Sequence, residues 1–338
     1  MEMVLDVSKE SKKRDGLIVS RPTMYICVVL AVILIAFGYR LRANTIFACQ
    51  ADGYTTDRYI AYCNGKSYGD YEHGAFQFDL EPKALDFAKN ADVMFLGDSR
   101  LQIAFSTSAT ADWFSAVSAR FYLMGFAYFE NATFAGQLLD RMHPKARVYV
   151  INVDDFFERL ETPPVKTIFH DPAARDRYEW KRRWQRVHES VCKTFTVLCG
   201  TDIVVLRSRE TGAYTWRTVK QKITPVSYDW AINQNVTSRD TDAAIDFLSH
   251  LGVDRKCVIL TMIPYVETKI GNANAIAKAL GLDLVTPELP AGLQTFDGFH
   301  LDRRSAERWS EAFYRAAGAR IRSCLNLDPV ADSQSITP

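Results

Sequence analysis

A chain of 338 residues, 48% of them hydrophobic, is long enough to bury a substantial core and falls in the range of one or two domains. A formal net charge of +1 provides no global field to attract nucleic acid, so a charged partner has to be met by a local patch. No CxxC pair or HExxH helix is present, which leaves a metal site without support, and no cofactor is expected.

The first element is apolar. Thr23 to Tyr39 (TMYICVVLAVILIAFGY) is a run of 17 uncharged residues, which at about 1.5 Å per residue just reaches the lower limit for crossing a bilayer core. Lys9, Lys12, Lys13, Arg14 and Arg21 precede it and only Arg40 and Arg42 follow closely. This asymmetry predicts a cytoplasmic segment 1–22, a single transmembrane anchor 23–39 in the cytoplasmic (inner) membrane, and everything beyond it outside the cytoplasm. A cleaved signal peptide is the competing reading, but Arg-Leu-Arg follows the run where small residues at a cleavage site would be needed.

Of seven cysteines, Cys27 lies in the apolar run and six lie beyond it. The close pairs Cys49/Cys63 and Cys192/Cys199 suit disulfides in an oxidising compartment, with Cys257 and Cys324 as a third pair because both flank the last part of the predicted sheet. Six unrelated buried thiols would be the bland alternative.

A membrane-proximal segment, residues 40–90, is rich in Tyr, Asp and Gly and carries few helix or strand signals. From residue 91 apolar runs and helical spacings alternate. Strands are predicted at 92–96, 120–124, 147–151, 256–262 and 282–285, and helices at 101–117, 134–142, 272–280 and 303–322. Unbroken apolar strands alternating with helices imply an α/β domain whose parallel sheet is covered on both faces, with chemistry at the carboxyl ends of its strands. This domain is expected to run to residue 325, followed by a disordered tail, 326–338.

An insertion of about ninety residues, 158–245, interrupts the alternation and is too long for an ordinary crossover. Its basic, aromatic stretch RDRYEWKRRWQR carries Trp180, Trp184, Val187 and Val191 at helical spacing. This reads as an amphipathic helix packing its tryptophan stripe on the core, or as a cationic, aromatic surface facing lipid head groups or an acidic glycan. Leaving the sheet at its carboxyl edge, the insertion is placed to roof a pocket there. The carboxylates Asp154 and Asp155 read as a solvated helix start, and His73, His143, His170, His188 and His250 have no local partner pattern.

Two motifs carry chemistry. Gly97-Asp98-Ser99 follows the first strand, where a serine on a tight strand-to-helix turn exposes its hydroxyl at the sheet edge. Asp297-Gly298-Phe299-His300 precedes the final helix; an aspartate three residues before a histidine, across a glycine, can orient the imidazole as a base. Alone, each motif is an ordinary cap or loop.

Together, GDS after the first strand and DGFHL before the last helix resemble the SGNH (GDSL-type) hydrolase and acyltransferase family over about residues 90 to 322, the insertion excepted. The stretches VILTMIPYVET and DGFHLDRRSAERW are similar to that family's closing half. The resemblance implies a three-layer SGNH-like domain with Ser99 as nucleophile, His300 as general base and acid, and Asp297 as its orienting partner. It further implies an oxyanion hole from the Ser99 N–H, the N–H of Gly125 or Tyr128 after the second strand, and the Asn152 side chain after the third. Tyr128 stands where the family's second glycine normally falls, and the usual Gly-x-Asn-Asp is replaced by Val150-Ile-Asn-Val-Asp154.

Single-span, outward-facing domains of this kind resemble proteins that move acetyl groups onto or off exported polysaccharides, beside a multi-span membrane-bound O-acyltransferase. The expected function is therefore O-acyl transfer on a cell-envelope polysaccharide through a Ser99 acyl-enzyme. A lipid or small-ester esterase, or a catalytically silent envelope-assembly or glycan-binding protein, are the alternatives. The sequons at Asn131 and Asn235 leave a Golgi lumen open beside a periplasm.

Overall fold

The computed structural model describes residues 21–63, 68–216, 223–287 and 291–327. The expectations for residues 1–20 and for the tail beyond Leu327 lie outside the described residues.

The chain begins with helix α1 (Arg21–Asn44), whose stretch Arg21–Arg40, with mean hydropathy 2.2 and no side chain buried, is long and apolar enough to cross a membrane. There follow β1 (Arg58–Cys63), α2 (Tyr71–Gln77), α3 (Pro82–Lys89), β2 (Val93–Asp98), α4 (Ser99–Phe105), α5 (Ser108–Ala116), β3 (Phe121–Phe126), α6 (Ala132–Met142) and β4 (Val148–Asn152). The insertion carries α7 (Pro163–His170), α8 (Ala174–Thr194), β5 (Val204–Ser208), β6 (Tyr214–Trp216), β7 (Thr224–Pro225) and most of α9 (Gln234–Ser249). The chain closes with β8 (Val258–Thr261), α10 (Ile270–Ala279), β9 (Leu284–Val285), β10 (Gln294–Thr295) and α11 (Arg303–Cys324).

Five parallel strands form the central sheet in the order β3-β2-β4-β8-β9. Alternation along the strands sorts its side chains into two cores. Met94, Leu96, Met124 and Ile151 join one apolar cluster, while Val93, Phe95, Leu123 and Val150 join the other. The second cluster lies under α4, α5 and α11, where Phe105 meets Trp309 and Phe313 edge-on at centroid distances of 5.2 and 5.0 Å. Both faces are therefore dry, as unbroken apolar strands require. The predicted helix 101–117 is two helices, because Thr107 accepts the N–H of Thr110 and starts a new one after Phe105.

Segment 40–90 is more structured than its composition suggests. It contributes β1, which pairs antiparallel with β5 of the insertion, and β6 completes that three-stranded sheet. Period-two patterning is weak in a short strand of Tyr, Ile and Ala whose partner lies about 145 residues away, so local reading misses it. A fully buried ion pair joins the two segments, with Arg207 Nη1 donating to Glu72 Oε2 at 2.9 Å. Disulfides close Cys49–Cys63, Cys192–Cys199 and Cys257–Cys324, with Cα separations of 6.1, 6.0 and 5.6 Å.

Candidate active site

The chain crosses from one side of the sheet to the other at β2: the connection out of it leads to β3 on one side, and β4 then returns to its other side. Such a switch opens a crevice at the strand's carboxyl end, and Ser99, the first residue of α4, stands there. Asp98 caps the helix by accepting the N–H of Arg100 at 2.9 Å. The Ser99 N–H, in the first turn, has no intrahelical carbonyl to use. Gly97 is required by close approach, since a Cβ there would lie 2.9 Å from the Leu101 Cβ and 3.2 Å from the Asn152 Cβ.

His300 reaches this point from a turn that its own sequence shapes. The Asp297 Oδ1 accepts the N–H groups of Phe299 and His300 at 2.9 and 2.8 Å, and Gly298 adopts a φ of +93° that favours glycine. The Phe296 N–H closes the turn on the His300 carbonyl at 2.9 Å, and the Phe296 ring stacks on the imidazole at 5.5 Å. The Asp297 Oδ2 then lies 2.6 Å from His300 Nδ1, and His300 Nε2 lies 2.8 Å from the Ser99 hydroxyl, across 201 residues of sequence. Burial would raise the Asp297 carboxyl, but the hydrogen bonds and charge of His300 and the two N–H groups hold it below the ordinary carboxylate range. This relay can take a proton from Ser99 and return it to a leaving group.

The Asn152 side chain ends β4 in the same crevice. Its Oδ1 accepts the Ile263 N–H at 3.1 Å, and its buried Nδ2 has no hydrogen-bond partner among the described residues. A buried donor without an acceptor calls for an explanation, and this one ends the strand next to the one that leads into Ser99. Gly125 is placed differently. Its N–H donates to the Gln102 Oε1 at 3.0 Å and is already engaged. Tyr128 and Phe129 follow in the left-handed region, with φ of +66° and +55°, and the Tyr128 N–H has no partner among the described residues. Two such non-glycine residues in succession are strained, by roughly 1–3 kcal/mol each. The Glu72 Oε1 steadies the turn by accepting the Ala127 N–H at 3.0 Å, and Phe129 meets Phe299 edge-on at 6.2 Å.

Arg100 was not legible as a site residue. Its guanidinium pairs with Asp98 Oδ2 at 2.7 Å and with Asp154, and lies between the rings of Phe129 and Tyr265, 5.4 and 4.8 Å from their centroids. Burial opposes its charge, but Asp98 and Asp154 outweigh that and raise its pKa. Asp154 is thus buried against Arg100 and starts no helix, contrary to the solvated helix start expected for the 154/155 pair. The signal was the arginine directly after the serine, with a carboxylate two residues beyond Asn152.

His73 and His188 also acquire distant partners: Nε2 of His73 lies 3.2 Å from Glu130, and His188 sits between the Tyr54 hydroxyl and the Cys49 carbonyl. His188 lies beside Cys192 and Cys199, but those sulfurs are bonded to each other and have no thiolate to offer a metal. Asn131 is buried, capping α6 through Oδ1 while its amide donates to the Leu160 carbonyl at 2.8 Å, so in this fold that nitrogen is engaged and turned away from solvent.

The insertion borders this site rather than covering it among the described residues. Its β7 pairs with β10, which leads into the Asp297 turn, yet the side chains of His300 and Asp297 remain 21% and 38% exposed. A cleft of about 750 Å³, lined by Gly136, Asp140, His143, Asp246 and His250, is separate from the Ser99 crevice. No family profile, curated protein or solved structure matches the chain.

Proposed function

We propose that this chain is a membrane-anchored serine acyl-transfer enzyme of SGNH type, acting on O-acetyl or related O-acyl groups of a cell-envelope polysaccharide. One observation carries the reading: Ser99, His300 and Asp297 form a continuous relay, 2.8 and 2.6 Å long, at the switch point of a parallel sheet. The doubly covered sheet supports the three-layer architecture such enzymes use. The apolar α1 and three disulfides support an N-terminus in the cytoplasm and a domain in an oxidising compartment beyond the membrane, such as the periplasm.

In this mechanism the Ser99 Oγ attacks the acyl carbonyl as His300 Nε2 takes its proton. The Ser99 N–H and Asn152 Nδ2 receive the oxyanion, with Tyr128 rather than Gly125 as the third donor. Collapse of the tetrahedral intermediate breaks the ester C–O bond, and His300 returns the proton to the departing alkoxide. His300 then deprotonates an acceptor hydroxyl, whose oxygen attacks the acyl carbonyl; the acyl–Oγ bond breaks, and His300 returns the proton to Ser99 Oγ. Transfer is favoured over hydrolysis because a half-open crevice flanked by exposed Phe129 and Phe299 admits a polymer, and because the anchor keeps the domain where a multi-span O-acyltransferase would deliver acyl groups. A silent glycan-binding protein is the second reading, favoured by the Gln102 bond that occupies the Gly125 N–H.

The test is the full chain in detergent with an activated acetyl ester, with and without an oligosaccharide acceptor. Acetylated oligosaccharide that disappears in Ser99→Ala is the expected result. Acetate release that no acceptor diverts makes the protein an esterase, and no turnover in either assay makes it a silent binder.

A further inference from the structure

Helix α8 buries only part of the stripe its sequence presents: Trp184 and Val191 pack, partly buried, against the core, and Trp180 and Val187 do not. The face against the core is Ala174, Tyr178, Gln185, His188 and Cys192, whereas Trp180 and Val187 are 57% and 44% exposed and Trp184 and Val191 only partly covered. At 100° per residue the stripe 180/184/187/191 lies about a quarter to a third of a turn from the buried face. Arg175, Arg183, Arg186 and Lys193, all exposed, lie on the remaining side. The helix therefore has a core face, a partly open apolar face and a basic face.

The apolar face runs on into the loop that the Cys192–Cys199 disulfide closes, where Phe195, Val197 and Leu198 are 58%, 73% and 49% exposed. This loop is tied to the exit of α1. The Gly200 N–H donates to the Phe47 carbonyl at 2.6 Å, the Asp202 N–H to the Ala48 carbonyl at 2.9 Å, and the Phe47 ring meets Trp184 edge-on at 6.2 Å. Trp180 and Trp184 also line a cleft of about 660 Å³ that reaches Thr45 and Ile46, the first residues after α1.

Chain geometry sets how far this surface can stand from a bilayer. From Tyr39, the end of the apolar run, five α-helical residues, the extended Thr45 and two residues of a 3-10 turn reach Phe47 in about 15 Å. The polar layer of the membrane occupies the first ~5–7 Å of that distance. Exposed aromatic and aliphatic side chains next to arginines, held at that height, have the composition of an interfacial surface.

We propose that the Trp180–Val187 face of α8 and the Phe195–Leu198 loop dock on the leaflet from which α1 emerges, with Arg183, the basic side chain nearest that face, reaching anionic head groups. The domain is then laid on the membrane at two points, and the Ser99 crevice is held at a set orientation to the surface. The proposal rests on α1 spanning the bilayer, not on the acyl-transfer chemistry.

The experiment uses the full chain with Cys27→Ser, carrying Leu198→Cys or, away from the disulfide, Val187→Cys, each labelled with an environment-sensitive fluorophore. The proteins are reconstituted in vesicles of 70% phosphatidylcholine and 30% phosphatidylglycerol, with Asp283→Cys, whose parent side chain is 93% exposed, as the aqueous control. The expected result is quenching of the 198 and 187 labels by shallow spin-labelled lipid, at least threefold more than at 283, with protection from aqueous iodide. Labels at both positions that respond to iodide as 283 does, in protein that resists alkaline carbonate extraction, overturn the docking and leave the anchor standing. Extraction by carbonate overturns the anchor and the docking together.

Discussion

Gln102 Oε1 accepts the N–H of Gly125 at 3.0 Å, and the Gln102 amide donates in turn to the carbonyl of Gly212. The helix that begins with Ser99 thereby grips both the second strand and the insertion from within, for Gln102 is fully buried. The cost is one backbone donor at the place where the resemblance expects an oxyanion contact. Under the proposed mechanism, Asn152 is then the side-chain donor to the oxyanion, beside the N–H groups of Ser99 and Tyr128.

Asn152→Ala is accordingly expected to lower kcat about 10²–10³-fold with little change in KM, the effect of losing one donor aimed at developing charge. Because Asn152 Oδ1 also holds the Ile263 N–H, Asn152→Asp, which keeps that acceptor, serves as a second variant. Steady-state kinetics on an activated ester measures both. Equal activity in both variants and the parent would remove Asn152 from the site.

Ser99→Ala should abolish formation of a covalent acyl-enzyme by mass spectrometry, and His300→Ala should lower turnover by about 10²–10⁴-fold. Neither should disturb the fold much, since both side chains are only partly buried. Thermal unfolding close to the parent's, with activity lost, is the result to look for.

Asp297 adds a pH signature. Its folded pKa is depressed by His300 and two N–H groups, so its contribution to stability is present above the unfolded value of about 3.9 and is lost as pH falls through the lower, folded value. Asp297→Asn should therefore lower Tm at neutral pH, and the difference from the parent should shrink as pH drops below about 4. A difference that grows toward acid would contradict the assignment.

The Glu72–Arg207 pair is enclosed by Phe76, Phe126 and Tyr214, whose hydroxyl donates to both Glu72 oxygens at 2.7 and 2.6 Å. Glu72→Ala leaves a fully buried guanidinium without its charge partner, which should cost about 3–5 kcal/mol in urea unfolding. It also releases the Ala127 N–H, so turnover should fall in the residual folded protein.

Among the disulfides, the bridge 257–324 spans 67 residues and 192–199 only seven. Loop-closure entropy predicts losses of roughly 4 and 2 kcal/mol, respectively, when each pair is replaced by serine. Denaturant midpoints of the two double variants test that order.

Much of this was written in the chain. Apolar runs at 93–96, 121–124, 148–151 and 258–261 mark strands buried on both faces, because they are short, unbroken and alternate with segments of helical spacing. The 17-residue uncharged run marks a segment apolar enough for a membrane, and the spacing within DGFH suffices to build the Asp297–His300 turn locally. What local pattern could not decide was which distant groups meet. Arg100 could be placed between Asp98 and Asp154 only by the register of β2 beside β4, and Glu72 could find Arg207 only by the pairing of β1 with β5. The stripe on α8 has a helical period, but periodicity names a face without saying what covers it. That depends on which side of the helix the rest of the chain packs against, and here it packed against Tyr178 and His188, leaving Trp180 in the open.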